Sequence, residues 1–167
     1  REGLFSSLIS TFSTLEGLHF LDLFAGSGAV GVEALSRGAA LVEAVESNAV
    51  SADVCEQNFA LLANLPEIGN FKVYPKTAFE FLNHTASKPY EIIFMDPPYE
   101  VANSEIEKIL KKILTLKLLN KFGVVAIERD GKAKSFTWPE GLMESKVRSY
   151  GAGSIHYGVV SNAQISD

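Results

Sequence analysis

The sequence predicts an α/β fold, a parallel sheet with helices on both faces that is finished by an antiparallel hairpin. Three observations carry this. Short apolar runs alternate with segments of helical spacing from residue 18 to residue 129. The glycine-rich stretch FAGSG, 24–28, joins the first run to the helical segment that follows it, where a strand-to-helix turn belongs. After residue 130 the alternation stops, and two strand-like segments flank Gly151-Ala152-Gly153.

In order along the chain, GLFSSLISTF at 3–12 places Leu4, Phe5, Leu8, Ile9 and Phe12 on one helical face. LHFLDLF at 18–24 is a short apolar run of the kind that makes a strand buried on both faces. Residues 29–37 read as a helix stopped by Gly38. LVEAVES at 41–47 is the second strand, and 48–62 a long helix with Ser47 or Asn48 as its cap. FKVYP at 71–75 is the third strand and AFEFLNH at 78–84 a short helix. YEIIFMD at 90–96 is the fourth strand and runs into Pro97-Pro98. Residues 103–119 form an amphipathic helix through Ile106, Ile109, Leu110, Ile113 and Leu114. GVVAIER at 123–129 is the fifth strand, 131–141 a loop, and 144–151 with 153–161 the hairpin. That makes seven strands, with one running antiparallel, in a three-layer, Rossmann-like arrangement.

The 167 residues suit a single domain spanning 1–167, and an apolar fraction of 47% is enough for its core. No apolar run reaches the ~20 residues of a membrane span, and no secretory leader is visible at Arg1-Glu2-Gly3. The expectation is a cytoplasmic monomer. Cys55 is the only cysteine, so no internal disulfide and no cysteine zinc cluster can form. It reads as a buried, inert thiol. His19, His84 and His156 have no metal-ligand spacing, and no metal is expected. The net charge is -5, with 15 Lys and Arg against 20 Asp and Glu. This argues against a broad nucleic-acid footprint on these residues, while leaving room for a local basic patch or an upstream basic arm.

Gly26, Gly28 and Gly31 fit the spacing G-x-G-x-x-G, between a strand and a helix. Glu46 ends the next strand, where a carboxylate can take ribose hydroxyls. An adenosine-containing ligand follows. Asp22, four residues before the first glycine, decides which one. A dinucleotide or ATP would bring phosphates to this loop. A carboxylate about 4 Å away would repel each unit charge by about 4 kcal/mol at an effective dielectric near 20, before screening. S-adenosylmethionine (SAM) carries an amino group and a sulfonium instead, and the acid attracts both. A dinucleotide oxidoreductase remains compatible with the glycines alone.

The second constellation is Asp96-Pro97-Pro98-Tyr99, at the carboxyl end of the fourth strand. Ligands of open α/β sheets bind along that edge. Two prolines remove two N–H donors, leaving carbonyls and the Asp96 carboxylate as acceptors, with Tyr99 as a stacking face. The set suits a flat ring with an exocyclic amine. The nitrogen lone pair of such an amine is delocalised into the ring. Hydrogen bonds that favour a pyramidal nitrogen restore it, and positioning then supplies most of the rate.

The strings LDLFAGSGAVGVEALSRGA, then VES before Asn48, then FMDPPY resemble the bacterial small-subunit ribosomal RNA guanine-N2 methyltransferases of the RsmD type, which are class I SAM-dependent methyltransferases. REGLF at the start resembles that family's VREALF segment. The resemblance implies SAM as cofactor. Asp22, Ala25, Gly26, Ser27 and Gly28 would lie at its methionine part, Glu46 at its ribose, and Ser47, Asn48, Thr77 and Ala78 around its adenine. Asp96, Pro97, Pro98 and Tyr99 would be the catalytic strip holding the guanine. The implied product is N2-methylguanine in 16S ribosomal RNA, and the implied partner is that RNA, within a small-subunit particle. Relatives carry an acid where Thr77 stands, so only a side-chain contact to adenine is in question there. Relatives also begin with a basic hairpin that these residues lack, and weak RNA binding by the chain alone is expected. Methylation of DNA adenine or of a protein glutamine, and a SAM-binding RNA-associated module without turnover, are the alternatives.

Overall fold

The computed structural model describes residues 1–85, 88–131 and 135–161, so 132–134 of the expected 131–141 loop and the end of the expected domain lie outside the described residues. The elements are α1 (Glu2–Phe12), β1 (His19–Asp22), α2 (Ala29–Ser36), β2 (Leu41–Val45), α3 (Ala49–Ala60), β3 (Asn70–Tyr74), α4 (Ala78–His84), β4 (Tyr90–Met95), α5 (Asn103–Thr115), β5 (Leu119–Asp130), β6 (Leu142–Tyr150) and β7 (Gly153–Val160). The sheet order is β3-β2-β1-β4-β5-β7-β6. β7 runs antiparallel to both its neighbours, and the other pairings are parallel. The seven-stranded sheet with its terminal hairpin is the expected one.

Alternation along the central strands sorts their side chains between two cores. Phe20, Ile92, Phe94, Val124 and Ala126 face α1, α2 and α3, packing with Leu4, Phe5, Leu8, Leu35 and Phe59. Leu21, Ile93, Met95, Val125 and Ile127 face α4 and α5, packing with Phe81, Leu82, Ile106, Ile109 and Ile113. A period of two with both faces covered is why these strands read as continuous apolar runs. The same alternation turns Asp22 and Asp96, at or just past the carboxyl ends of β1 and β4, and Glu128, near that of β5, toward the α1 side. Inside the sheet, Tyr90 donates to Glu43 Oε1 at 2.9 Å, which satisfies a buried carboxylate.

Several boundaries differ from expectation, most of all those of α5 and β5. The helix predicted to reach 119 ends at Thr115, and β5 begins at Leu119 rather than 123. Lys117 takes a left-handed backbone, φ 55, and Leu118 N–H bonds to Ile113 O. This closes the helix without glycine. Leu119 then pairs with Tyr90, and a register shift separates that pair from Ile92–Val124. β1 also stops at Asp22, leaving Leu23 and Phe24 to lead into the glycine loop.

Candidate active site

The strand order reverses direction between β1 and β4, and a cavity of about 630 Å³ opens above the carboxyl ends there. Twelve of the fourteen residues expected at the site line it: Asp22, Ala25, Gly26, Ser27, Glu46, Ser47, Thr77, Ala78, Asp96, Pro97, Pro98 and Tyr99. Gly28 and Asn48 are set back from the wall and act on the frame. Gly28 begins α2 with φ 86, and a Cβ on it would lie 2.6 Å from Cys55 Sγ. It lets α2 close on α3. Asn48 caps α3, accepting from Ser51 N–H at 3.0 Å.

The glycine loop is stitched to its neighbours. Leu23 N–H bonds to Phe94 O at 3.1 Å and Ala25 N–H to Val45 O at 2.9 Å, so the loop spans β4 and β2. Glu46 adds a clamp: one carboxylate oxygen accepts from Gly26 N–H at 2.8 Å and the other from Asn48 N–H at 2.9 Å. Charge-assisted bonds of this kind are about twice as strong as neutral ones. They tie the loop to the start of α3. Gly26 itself has φ 56, and a Cβ there would meet nothing within 4 Å. The loop therefore leaves open space toward the cavity.

The sequence places Asp22 at an open mouth. In the structure it is instead 1% exposed, because it projects from the central strand β1 on the face that α1, α2 and α3 cover. Its carboxylate accepts from Phe24 N–H at 3.3 Å. Burial is the main reason its pKa rises to about 7; the Phe24 bond opposes this, and Asp96 and Glu46 add to it. Asp96 follows β4 and is exposed on the cavity side. Surrounding atoms displace enough water to push its pKa up to about 6, with Glu128 adding to the rise. Pro97 is buried while Pro98 and Tyr99 are exposed, Tyr99 to 77%. Val101 N–H bonds back to Pro98 O at 3.0 Å, closing the turn that carries the tyrosine.

Ala78 begins α4 as a buried residue, and Thr77 caps it. Thr77 Oγ1 accepts from Glu80 N–H at 3.1 Å while the Glu80 carboxylate accepts from Thr77 N–H at 3.4 Å. The T-x-x-E spacing of a capping box announces this pairing. It makes Thr77 a structural cap as well as a wall residue. The sequence reading missed Leu23, Phe24, Ala29, Val30, Lys76 and Phe94 in the wall. Lys76 was findable, because it adjoins Thr77 at the carboxyl edge of β3. Cys55 is buried, with its pKa pushed up to about 12 chiefly by burial, so it is the inert thiol expected. Among the described residues no cluster of three or more His, Cys, Asp or Glu could hold a metal ion, and no helix is long and apolar enough to cross a membrane.

Residues 1–159 match the family described as "Conserved hypothetical protein 95". The chain belongs to this family. It is the family of the RsmD-type methyltransferases. A "Ribosomal RNA small subunit methyltransferase D" of Buchnera aphidicola is 33% identical over 67% of this chain, a stretch that covers 56% of the relative. A "Putative rRNA methyltransferase YlbH" of Bacillus subtilis is 30% identical over 90% of this chain and 79% of its own length. The solved structure of a "Putative methyltransferase yhhF" of Escherichia coli superposes with a TM-score of 0.82 at 27% identity, covering 97% of this chain and 86% of that one. The fold is that of the class I methyltransferases.

Proposed function

We propose that the protein transfers a methyl group from SAM to the exocyclic N2 amine of a guanine in small-subunit ribosomal RNA, within the cytoplasm and on a small-subunit particle. The observation that carries this is the acceptor strip Asp96-Pro97-Pro98-Tyr99 in the wall of a cavity whose other wall is the glycine loop. Membership of the family and the names borne by its relatives support the same reading.

The cavity suits SAM on its own chemistry. Three carboxylates, Asp22, Glu46 and Asp96, line it against one cation, Lys76. That balance favours a positively charged ligand over a phosphate. The open space beside Gly26 leaves the backbone accessible to it. Asp22 and the loop would hold the methionine part, Glu46 the ribose hydroxyls, and Ser47, Thr77 and Ala78 the adenine. When bound, SAM supplies a methyl on a sulfonium, whose sulfur takes back the bonding electron pair.

The protein's part is positioning and charge. Asp96 and the backbone carbonyls beside it accept the N2 hydrogens, which restores the lone pair that forms the new N–C bond. As nitrogen becomes positive the Asp96 carboxylate stabilises it. The nitrogen then gives up one proton, and a carboxylate with pKa about 6 can accept it and pass it to water. Tyr99, 77% exposed, offers a stacking face to a base that has left its own stack.

The test is single-turnover methylation by Asp96→Ala beside a SAM titration of the same variant. Losing one charge-stabilising group costs about 10²–10³ in rate, and SAM affinity should stay within a few-fold. Near-normal transfer would remove Asp96 from the mechanism. Loss of SAM binding would make it a cofactor ligand instead.

A further inference from the structure

Asp96, Pro97 and Tyr99 also wall a second cavity of about 340 Å³ on the far side from the glycine loop. Glu128, two residues before the end of β5, and Asp130 close it together with Ala152 and Gly153 at the start of β7. Phe94 pairs with Ala126 and Met95 with Ile127, so the next residues in register at the carboxyl edge are Asp96 and Glu128. They stand side by side on the same face. Glu128 is half-buried, and no described residue hydrogen-bonds its carboxylate. Arg129 also lines this cavity, but its guanidinium is engaged elsewhere. Alternation sends Arg129 to the other face, where Nη2 donates to Asn103 Oδ1 at 3.0 Å and to Val101 O at 3.4 Å.

We propose that Glu128 is the specificity-determining residue for the target base, accepting guanine N1–H while Asp96 accepts an N2 hydrogen. This rests on the reading above that the target is guanine N2. The argument is one of donors and acceptors. Guanine presents N1–H and both N2 hydrogens side by side, three donors along one edge. Adenine and cytosine present an amine beside a ring nitrogen that carries a lone pair. Against two adjacent carboxylates, that lone pair meets an anion and makes no bond. A site built to bond a donor rejects the analogue that lacks it, because an acceptor covered by the bound base is then left unpaired. The cavity lies beyond Asp96 from the cofactor loop. A base seated there therefore turns its amine toward the cofactor and its N1 toward Glu128.

The experiment is single-turnover methylation of small-subunit ribosomal RNA that carries either guanine or 2-aminopurine at the labelled position. 2-Aminopurine keeps the amine but has no hydrogen on N1. The unaltered protein should methylate guanine about 10–100-fold faster, the value of one hydrogen bond to a charged group. Glu128→Ala should slow guanine by that factor and leave 2-aminopurine nearly unchanged, closing the gap. Glu128→Gln, which retains an acceptor oxygen, should recover part of it. SAM affinity should not change. An equal fall for both RNAs, or no fall, overturns the assignment to Glu128, and so does closure of the gap by Asp130→Asn instead. Absence of methyl on guanine with the unaltered protein overturns both this inference and the reading beneath it. Guanine labelling with an unclosed gap overturns only this one.

Discussion

Replacing Asp22 by asparagine separates what the buried acid costs the fold from what it contributes to the site. The native carboxyl has a pKa of about 7, against 3.8 for an unperturbed Asp, and is 1% exposed. Between about pH 4 and pH 7 the unfolded chain has lost this proton and the native chain keeps it. Fewer protons bound in the unfolded state means that stability falls as pH rises. At about 1.4 kcal/mol per unit, a shift of about three units gives a loss approaching 4 kcal/mol, complete above pH 7. The amide of the Asp22→Asn variant cannot ionise. The variant should therefore gain stability on the parent as pH rises, by up to about 4 kcal/mol at pH 8, and match it near pH 4. Cofactor binding should move the other way. A cationic ligand favours the ionised acid, so SAM affinity of the parent should rise with pH, by at most about tenfold per unit between about pH 5 and 7. The variant should bind weakly at every pH, without that slope. Urea unfolding across the pH range and calorimetric titration in two buffers of different ionisation enthalpy measure both. Parallel stability profiles for parent and variant would refute the burial argument. A pH-independent SAM affinity in the parent would refute the placement of Asp22 at the ligand's positive end.

Three further outcomes follow from the loop. Glu46→Gln keeps the shape but leaves one backbone bond without its charge, sets an NH2 against the other N–H donor, and removes the charge from the proposed ribose contact. SAM affinity should fall at least about tenfold, the value of a hydrogen bond to a charged group, and NAD should not bind better; an unchanged affinity in titration would discard Glu46 as a ligand. Gly28→Ala meets a left-handed backbone, about 1–2 kcal/mol, and overpacking against Cys55, about 1–3 kcal/mol, so unfolding should show a loss of roughly 2–5 kcal/mol. Adding Cys55→Ala should recover the packing part, and no recovery would put the whole cost in the backbone. Gly26→Ala meets the same left-handed cost, φ 56, about 1–2 kcal/mol, without overpacking, and should also reduce SAM affinity, which titration beside urea unfolding would check.

Much of this was legible in the chain because burial on two faces leaves a simple pattern. Residues 92–95 and 123–127 are apolar without interruption, and only a strand covered on both sides needs that. The glycine-loop spacing picked out Asp22 and Glu46, the carboxyl-edge rule Asp96, and the family resemblance Ala78; all four line one cavity. The α5 boundary was not legible. Leu114, Leu116, Leu118 and Leu119 continue the apolar content of the helix past its end, and the turn at Lys117 uses no glycine or proline to mark it. The Glu46 clamp was hidden for a different reason. It joins residues 20 apart that meet only when β1 and β2 lie side by side. Gly28 matched a ligand fingerprint, yet its position is explained by the approach of α2 to Cys55, a contact no local spacing encodes.

The central claim is that guanine N2 receives the methyl group. Small-subunit particles lacking the modification, incubated with the protein and tritiated SAM, then digested to nucleosides, test it directly. The account predicts label in N2-methylguanosine and its loss with Asp96→Ala. Label in adenosine or in protein, or label in guanosine that survives Asp96→Ala, would contradict it.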